Sequence, residues 1–340
     1  MKVLVARLDS DGDVLLAGPA IRAIAAGAER VTLLCGPRGQ RAAELLPGVD
    51  DLIVHRAPWI DPEPRALDRA ATLALVEEIG SRRFDEALIL TSFHQSPLPL
   101  ALLLRLAGVA TVAATSEDYP GSLLDVRHQV GADLHEVERS LSLVATLGYA
   151  LPPGDDGCLA VRQITSSLEQ PLDGPYVVVH PGASVPAREW SPRRWVQLVA
   201  ALTARGRRVA VTGSAPERPL TARVAARLPG ATDLGGATTL AQLAEVIECA
   251  AAIVVGNTGP AHLAAAVGTP VVSLYAPTVP SVRWRPWRVP HELHNVTVAC
   301  AGCRARMCPV PGHPCIDDVD VDTVLASIER LAPVRDAVAA

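Results

Sequence analysis

Short, continuous apolar runs rich in Val, Ile and Leu recur along the chain, separated by stretches with helical spacing. In the first half the runs are Lys2–Leu8, Val31–Cys35, Asp51–His55, Glu86–Thr91 and Val109–Ala113. In the second half they are Tyr176–Val179, Arg208–Val211, Ala252–Val255 and Val271–Tyr275. Runs without an apolar–polar alternation predict strands covered on both faces, as in parallel sheets. Amphipathic segments between them predict an α/β architecture. One such helix begins near Asp13 and turns Val14, Leu15, Ala17, Ala20, Ile21 and Ile24 toward a sheet. Others are expected over Asp133–Leu147, stopped by Gly148; from Ser191-Pro192 to Leu202, stopped by Gly206; over Leu240–Ala250, capped by Thr238 or Thr239; and over Val321–Leu331. Leu98–Ala110 is apolar but short and interrupted by Arg105, so it reads as a buried helix rather than a membrane span.

Length then sets the organisation. A chain of 340 residues suits two domains. The strongest linker signal is Leu151-Pro152-Pro153-Gly154-Asp155-Asp156-Gly157, and the strand–helix pattern restarts at Tyr176. The expected division is 1–160, 170–320 and a terminal helical segment, 321–340.

Polar turns at the carboxyl ends of the strands carry the candidate chemistry. Ala252–Pro277 reads as strand, turn, helix, strand: the turn is Gly256-Asn257-Thr258-Gly259, Pro260 suits the first helical turn, and Gly268 is the stop. Such a turn directs free backbone N–H groups and a helix dipole outward, an anion site for which phosphate is the usual guest. His262, in the first helical turn, is placed to reach the same guest. Two more Gly-bearing turns belong to the same half: His180-Pro181-Gly182-Ala183-Ser184, followed by Arg188, and Thr212-Gly213-Ser214-Ala215-Pro216-Glu217. Arg188 reads as exposed and well shaped for a phosphate; Glu217 suits a sugar hydroxyl or simply water. In the first half, Asp9-Ser10-Asp11-Gly12 leads from the first strand to Asp13, which serves either as a helix cap or as a general base. Trp59, in the Pro-rich loop Ala57–Pro64, is placed to close over a ligand. No G-x-G-x-x-G follows the first strand, which argues against a dinucleotide cofactor.

Composition narrows the classes further. Hydrophobic residues make up 49% of the chain, which excludes disorder, and a net charge of −5 argues against non-specific nucleic-acid binding. No signal peptide is visible, so residence in the cytoplasm with reduced cysteines is expected. Lys2 is the only lysine.

Three motifs together resemble one family. Val3-Leu4-Val5-Ala6-Arg7-Leu8-Asp9-Ser10-Asp11-Gly12-Asp13-Val14-Leu15-Leu16, His180-Pro181-Gly182-Ala183 and Gly256-Asn257-Thr258-Gly259-Pro260-Ala261-His262-Leu263 look like the family 9 glycosyltransferases, the lipopolysaccharide heptosyltransferases. The resemblance implies a GT-B fold, two Rossmann-like domains facing across a cleft, with the acceptor on the first and the nucleotide-sugar donor on the second. It implies inverting, metal-independent transfer to a glycan or glycolipid acceptor, with an ADP-sugar as the default donor. An encounter at the inner face of a membrane follows from such acceptors. Carried over by position, Asp13 is the general base and Ser10, Asp11 and Gly12 form the acceptor-side loop. Ser184, Arg188, Glu217, Asn257, Thr258, Gly259 and His262 line the donor, and the terminal helix packs back on the first domain. Two departures stand out: Asn257 occupies a position where the family often has Asp, and Arg188 one where it commonly has Lys. The alternatives are a GT-B sugar-nucleotide epimerase and a nucleotide-sugar-binding protein with a degenerate site.

Cys300, Cys303, Cys308 and Cys315 form C-x2-C-x4-C-x6-C, with His313 beside the last. The spacing suits a structural Zn²⁺, or a loop of reduced or disulfide-linked thiols.

Overall fold

A computed structural model describes the chain except residues 93, 132, 163–171, 173, 227 and 334–340. Two compact units divide after Arg162. The Pro- and Gly-rich stretch before that point is tied to the first unit: Arg22 Nε donates to Asp155 Oδ2 at 2.6 Å and the Arg162 N–H donates to the Leu45 carbonyl at 2.8 Å.

The first unit holds β1 (Lys2–Arg7), β2 (Arg30–Cys35), β3 (Asp51–Val54), β4 (Glu86–Ile89), β5 (Thr111–Thr115) and β6 (Val126–His128). They form one parallel sheet in the order β3-β2-β1-β4-β5-β6. The second unit holds β7 (Tyr176–His180), β8 (Arg208–Gly213), β9 (Ala231–Gly235), β10 (Ala252–Gly256), β11 (Val271–Leu274) and β12 (His291–His294). Its order, β12-β11-β10-β7-β8-β9, is the same topology read from the other edge. In each sheet the first strand of the unit lies beside its fourth, and the connections run outward in both directions from that pair. This is the switch point where an open α/β sheet leaves a crevice at its carboxyl edge.

The central strands are those the hydrophobic runs announce. Val3, Leu4 and Val5 of β1, and Val177, Val178 and Val179 of β7, are fully buried. Three strands escaped the sequence reading: β6, β9 and β12. All three lie at sheet edges, pair on one side only, mix polar with apolar residues and bury none of them. These three bury no residue and so leave no apolar run to find, whereas the fourth edge strand, β3, keeps Leu52-Ile53-Val54 with Ile53 buried.

Helices fall near their expected positions with sharper ends. The helix approaching β10 runs Leu240–Glu248, and Thr239 is its cap, accepting from the Gln242 N–H at 3.2 Å. The helix after β1 starts two residues earlier than expected, at Asp11, and ends at Leu16, before a second over Gly18–Ala25. In the terminal helix, Val321–Leu331, the side chains of Val324, Leu325 and Ile328 lie in the core of the second unit with Trp195 and Leu198, and residues 334–340 of the expected terminal segment lie outside the described residues. That core also holds Trp190 edge-on to Trp195, with ring centroids 5.2 Å apart.

Candidate active site

In the first unit, β1 ends on a charged residue that is 1% exposed, Arg7. A buried guanidinium needs partners, and this one has three carboxylates. Nε lies 2.9 Å from Asp9 Oδ2, Nη2 lies 3.2 Å from Asp13 Oδ1, and Nη1 lies 3.4 Å from Glu136 Oε2. Nη2 also donates to Ser92 Oγ at 2.9 Å. Burial alone would lower the arginine's pKa, but the three carboxylates outweigh it and leave it raised.

Asp13 is the third residue of its helix, and the Ser10 hydroxyl donates to its Oδ2 at 2.9 Å. Ser10 makes no cap bond to the helix backbone, so its side chain serves the carboxylate. Asp13 is partly open to solvent, which a base needs if it is to meet a hydroxyl. Asp11 is turned elsewhere: it pairs with Arg41 at 2.6 Å and accepts from the Ala42 N–H at 3.2 Å, fixing the loop to the Gln40–Ala43 helix. Gly12 is buried within the turn.

Asp9 is the second member of this group and was not singled out in the sequence. It accepts from the Gln95 side chain, and Ser92 Oγ lies 3.5 Å from its Oδ2. Burial pushes its carboxyl up to about 6; Asp13 adds to the rise, while Arg7, Gln95 and Ser92 oppose it. Glu136, at the start of the Glu136–Ala145 helix, is likewise raised by burial, against the pull of Arg7 and Arg139. Only Arg7 carried a sequence signal, a lone charge inside a buried run. Gln95 also lines a small pocket with Leu8, Trp59, Ile60, Pro97 and Leu100. Trp59 is half-buried there, its ring centroid 6.4 Å from that of His55.

In the second unit, β10 runs into Asn257 and Thr258, and a helix spans Gly259–Ala266 with Pro260 in its first turn. Thr258 makes no side-chain cap bond. The Thr258 N–H donates to the Gly256 carbonyl at 2.9 Å and the Ala261 N–H to the Thr258 carbonyl at 3.0 Å, so what the helix end offers an anion is the Gly259 N–H end and the positive end of its dipole. His262 is buried at this end. Arg188 is half-buried rather than exposed, and its Nη1 donates to the Asn257 carbonyl at 3.3 Å. The turn that presents it, Pro186–Arg188, is held from the later chain: the Ala187 N–H donates to the Arg306 carbonyl at 3.0 Å, and the His313 ring lies 3.1 Å from the Ala187 carbonyl. Asn257 is buried; its Nδ2 donates to the Ala276 carbonyl at 3.3 Å, and its Oδ1 has no partner among the described residues. Tyr275 lies beside Arg188 and Asn257; burial raises its hydroxyl's pKa, and those two neighbours oppose the shift.

The loop after β7 meets the turn after β8. The His180 ring is buried 2.9 Å from Thr212 Oγ1, and burial depresses its pKa against the opposing charge of Glu217. Glu217 accepts from both the N–H and the hydroxyl of Ser214, at 2.6 and 2.7 Å. A Cβ on Gly182 would stand 2.0 Å from Glu217 Oε1, so a larger residue there would displace the Glu217 carboxylate from its place over this loop. Ser184 is exposed beyond them. Glu189, also missed in the sequence, is raised by burial.

Among the described residues no three His, Cys, Asp or Glu side chains are grouped to hold an ion. Cys300 and Cys303 are exposed, Cys308 is half-buried, and Cys315 is buried in the apolar core, where burial pushes its thiol up to about 11. The loop that carries them supports the Pro186–Arg188 turn. Among the described residues no helix is long and apolar enough to cross a membrane.

Comparison with known proteins identifies the family and the fold. Residues 72–313 match the model of glycosyltransferase family 9 (heptosyltransferase). The chain is 34% identical to lipopolysaccharide heptosyltransferase 1 of Pseudomonas aeruginosa over 223 residues, covering 63% of this chain and 61% of the relative. The aligned part thus spans less than two thirds of that relative. Whole-chain likeness appears in structures. The family 9 glycosyl transferase of Veillonella parvula superposes with a TM-score of 0.77 at 15% identity, covering 97% of both chains. E. coli ADP-heptose lps heptosyltransferase II superposes with a TM-score of 0.75 at 21% identity, covering 98% of both. The fold is α/β, of the GT-B class.

Proposed function

The chain belongs to glycosyltransferase family 9 (heptosyltransferase), and we propose that it transfers a heptosyl group from ADP-heptose to a hydroxyl of a lipopolysaccharide core glycan. The observation that carries this reading is Asp13, a partly exposed carboxylate gripped by Arg7 and Ser10 at the end of the first unit's central strand. Asp13 takes the proton of the acceptor hydroxyl as that oxygen bonds to the anomeric carbon. The bond from that carbon to the diphosphate breaks, with inversion, and the electron pair leaves on the diphosphate oxygen. The second unit receives the leaving charge: the Gly259 end of the helix with its dipole, the Thr258 hydroxyl, Arg188 and His262 face the diphosphate. Glu217 and Asn257 address the hydroxyls of the donor. The choice of ADP-heptose rests on the relatives, since structures of E. coli heptosyltransferase hold ADP and an ADP-fluoroheptose.

Transfer from ADP-heptose to a heptose-free lipopolysaccharide core is expected in wild type. Asp13→Ala is expected to lower it by about 10²- to 10⁴-fold, with ADP affinity, read by calorimetry, held within a few fold. Retained turnover in that variant would remove Asp13 as the base. ADP release without acceptor at the wild-type rate would favour an epimerase or hydrolase instead.

A further inference from the structure

The carboxylates around Arg7 outnumber the cations. Asp9 and Asp13 come from the turn after β1 and Glu136 from the helix over Glu136–Ala145, and the cations facing them are Arg7 and Arg139. Ser92 and Gln95 come from the turn after β4 and offer only hydrogen bonds. Arg7 is therefore divided among three acids, and two of them, Asp9 and Asp13, sit on neighbouring edges of one guanidinium.

We propose that Asp9 is a positioning residue for the base: by sharing the Arg7 guanidinium with Asp13, it sets how much of that charge Asp13 receives and hence how basic Asp13 is. The proposal rests on the reading of Asp13 as the base. With Asp9 ionised, the cation is shared and a like charge stands close by, so Asp13 holds a proton more readily. With Asp9 protonated, the cation falls to Asp13 and Glu136, and Asp13 becomes a weaker base. Asp9 moves no proton of the reaction itself. Gln95 is the control from outside the turn, because its amide N–H donates to Asp9 and favours the ionised form. Transfer should rise with pH as Asp9 ionises.

The test uses the full chain labelled with ¹³C-carboxyl aspartate, with resonances assigned by difference against Asp9→Asn and Asp13→Asn. Asp9→Asn is expected to lower the titration midpoint of Asp13 by about one pH unit. In the transfer assay, with ADP-heptose and heptose-free lipopolysaccharide core, the acidic limb of kcat/KM should move down by a similar amount. Maximal kcat should fall about threefold, as befits a weaker base. Gln95→Leu should act in the same sense but more weakly: it raises the Asp9 midpoint, so Asp9 stays protonated to higher pH and the Asp13 midpoint and the limb move down. It carries the test alone if Asp9→Asn does not fold. An Asp13 midpoint that ignores Asp9→Asn overturns the proposal, as does a folded Asp9→Asn protein inactive at every pH. Coupled midpoints with an unmoved kinetic limb would instead overturn Asp13 as the base and leave the carboxylate coupling standing.

Discussion

The two units share one strand order and differ in what they place at its switch point. In the first, the pair β1 and β4 opens on side chains: a buried arginine, three acids, a serine and a glutamine. In the second, the pair β7 and β10 opens largely on backbone, with the turn at Gly256–Gly259 and Arg188 pinned to it. The first arrangement gathers negative charge and so favours proton uptake; the second presents positive ends of peptide dipoles and so favours anions. One topology thus supports opposite electrostatics, because the crevice belongs to the fold and the charge to the residues that reach it.

The sharpest way to break this contrast is to remove the cation of each unit in turn. Arg7→Ala leaves acids buried without their partner and is expected to destabilise the first unit by about 3–5 kcal/mol, read as the loss of one transition in urea unfolding of the full chain. Arg188→Ala should leave both transitions in place. Its effect belongs to the donor: affinity for ADP should fall about tenfold, with the loss largest at low salt. If Arg188→Ala unfolded its unit while Arg7→Ala did not, the assignment of one cation to structure and the other to ligand would be reversed.

A smaller effect follows from proton linkage. The Asp9 carboxyl titrates higher in the fold, at about 6, than its ordinary 3.8. Folding therefore takes up a proton between those values. The stability Asp9 contributes is fully present below the lower value and is lost as pH rises through the upper one. The first unit's urea midpoint should decline across that interval, and Asp9→Asn should flatten the decline. A midpoint that rises over the same window in wild type, and not in the variant, would contradict the raised carboxyl.

How far the site was legible depends on sequence distance. Asp13 and the Gly256–Gly259 turn were visible because strand, turn and helix are consecutive there, and local propensity reports all three. Asp9 was in plain view yet unmarked, since its partners Ser92 and Gln95 lie more than eighty positions away. Glu136 joins Arg7 across 129 positions, and no local pattern records such a meeting. Val321–Leu331 was legible as an amphipathic helix, but amphipathicity names a buried face and not the surface that buries it.

By itself the sequence determined the alternation of buried strands with helices, the two-unit division and the glycine-bearing turns after the strands, because each depends on residues within a few positions of one another. The tertiary structure alone decided the edge strands, the partners of Arg7, the burial of Arg188 against Asn257 and the seat of the terminal helix. Those depend on which remote groups share a low-dielectric space, where a charge or an apolar face must find its complement wherever the chain has placed it.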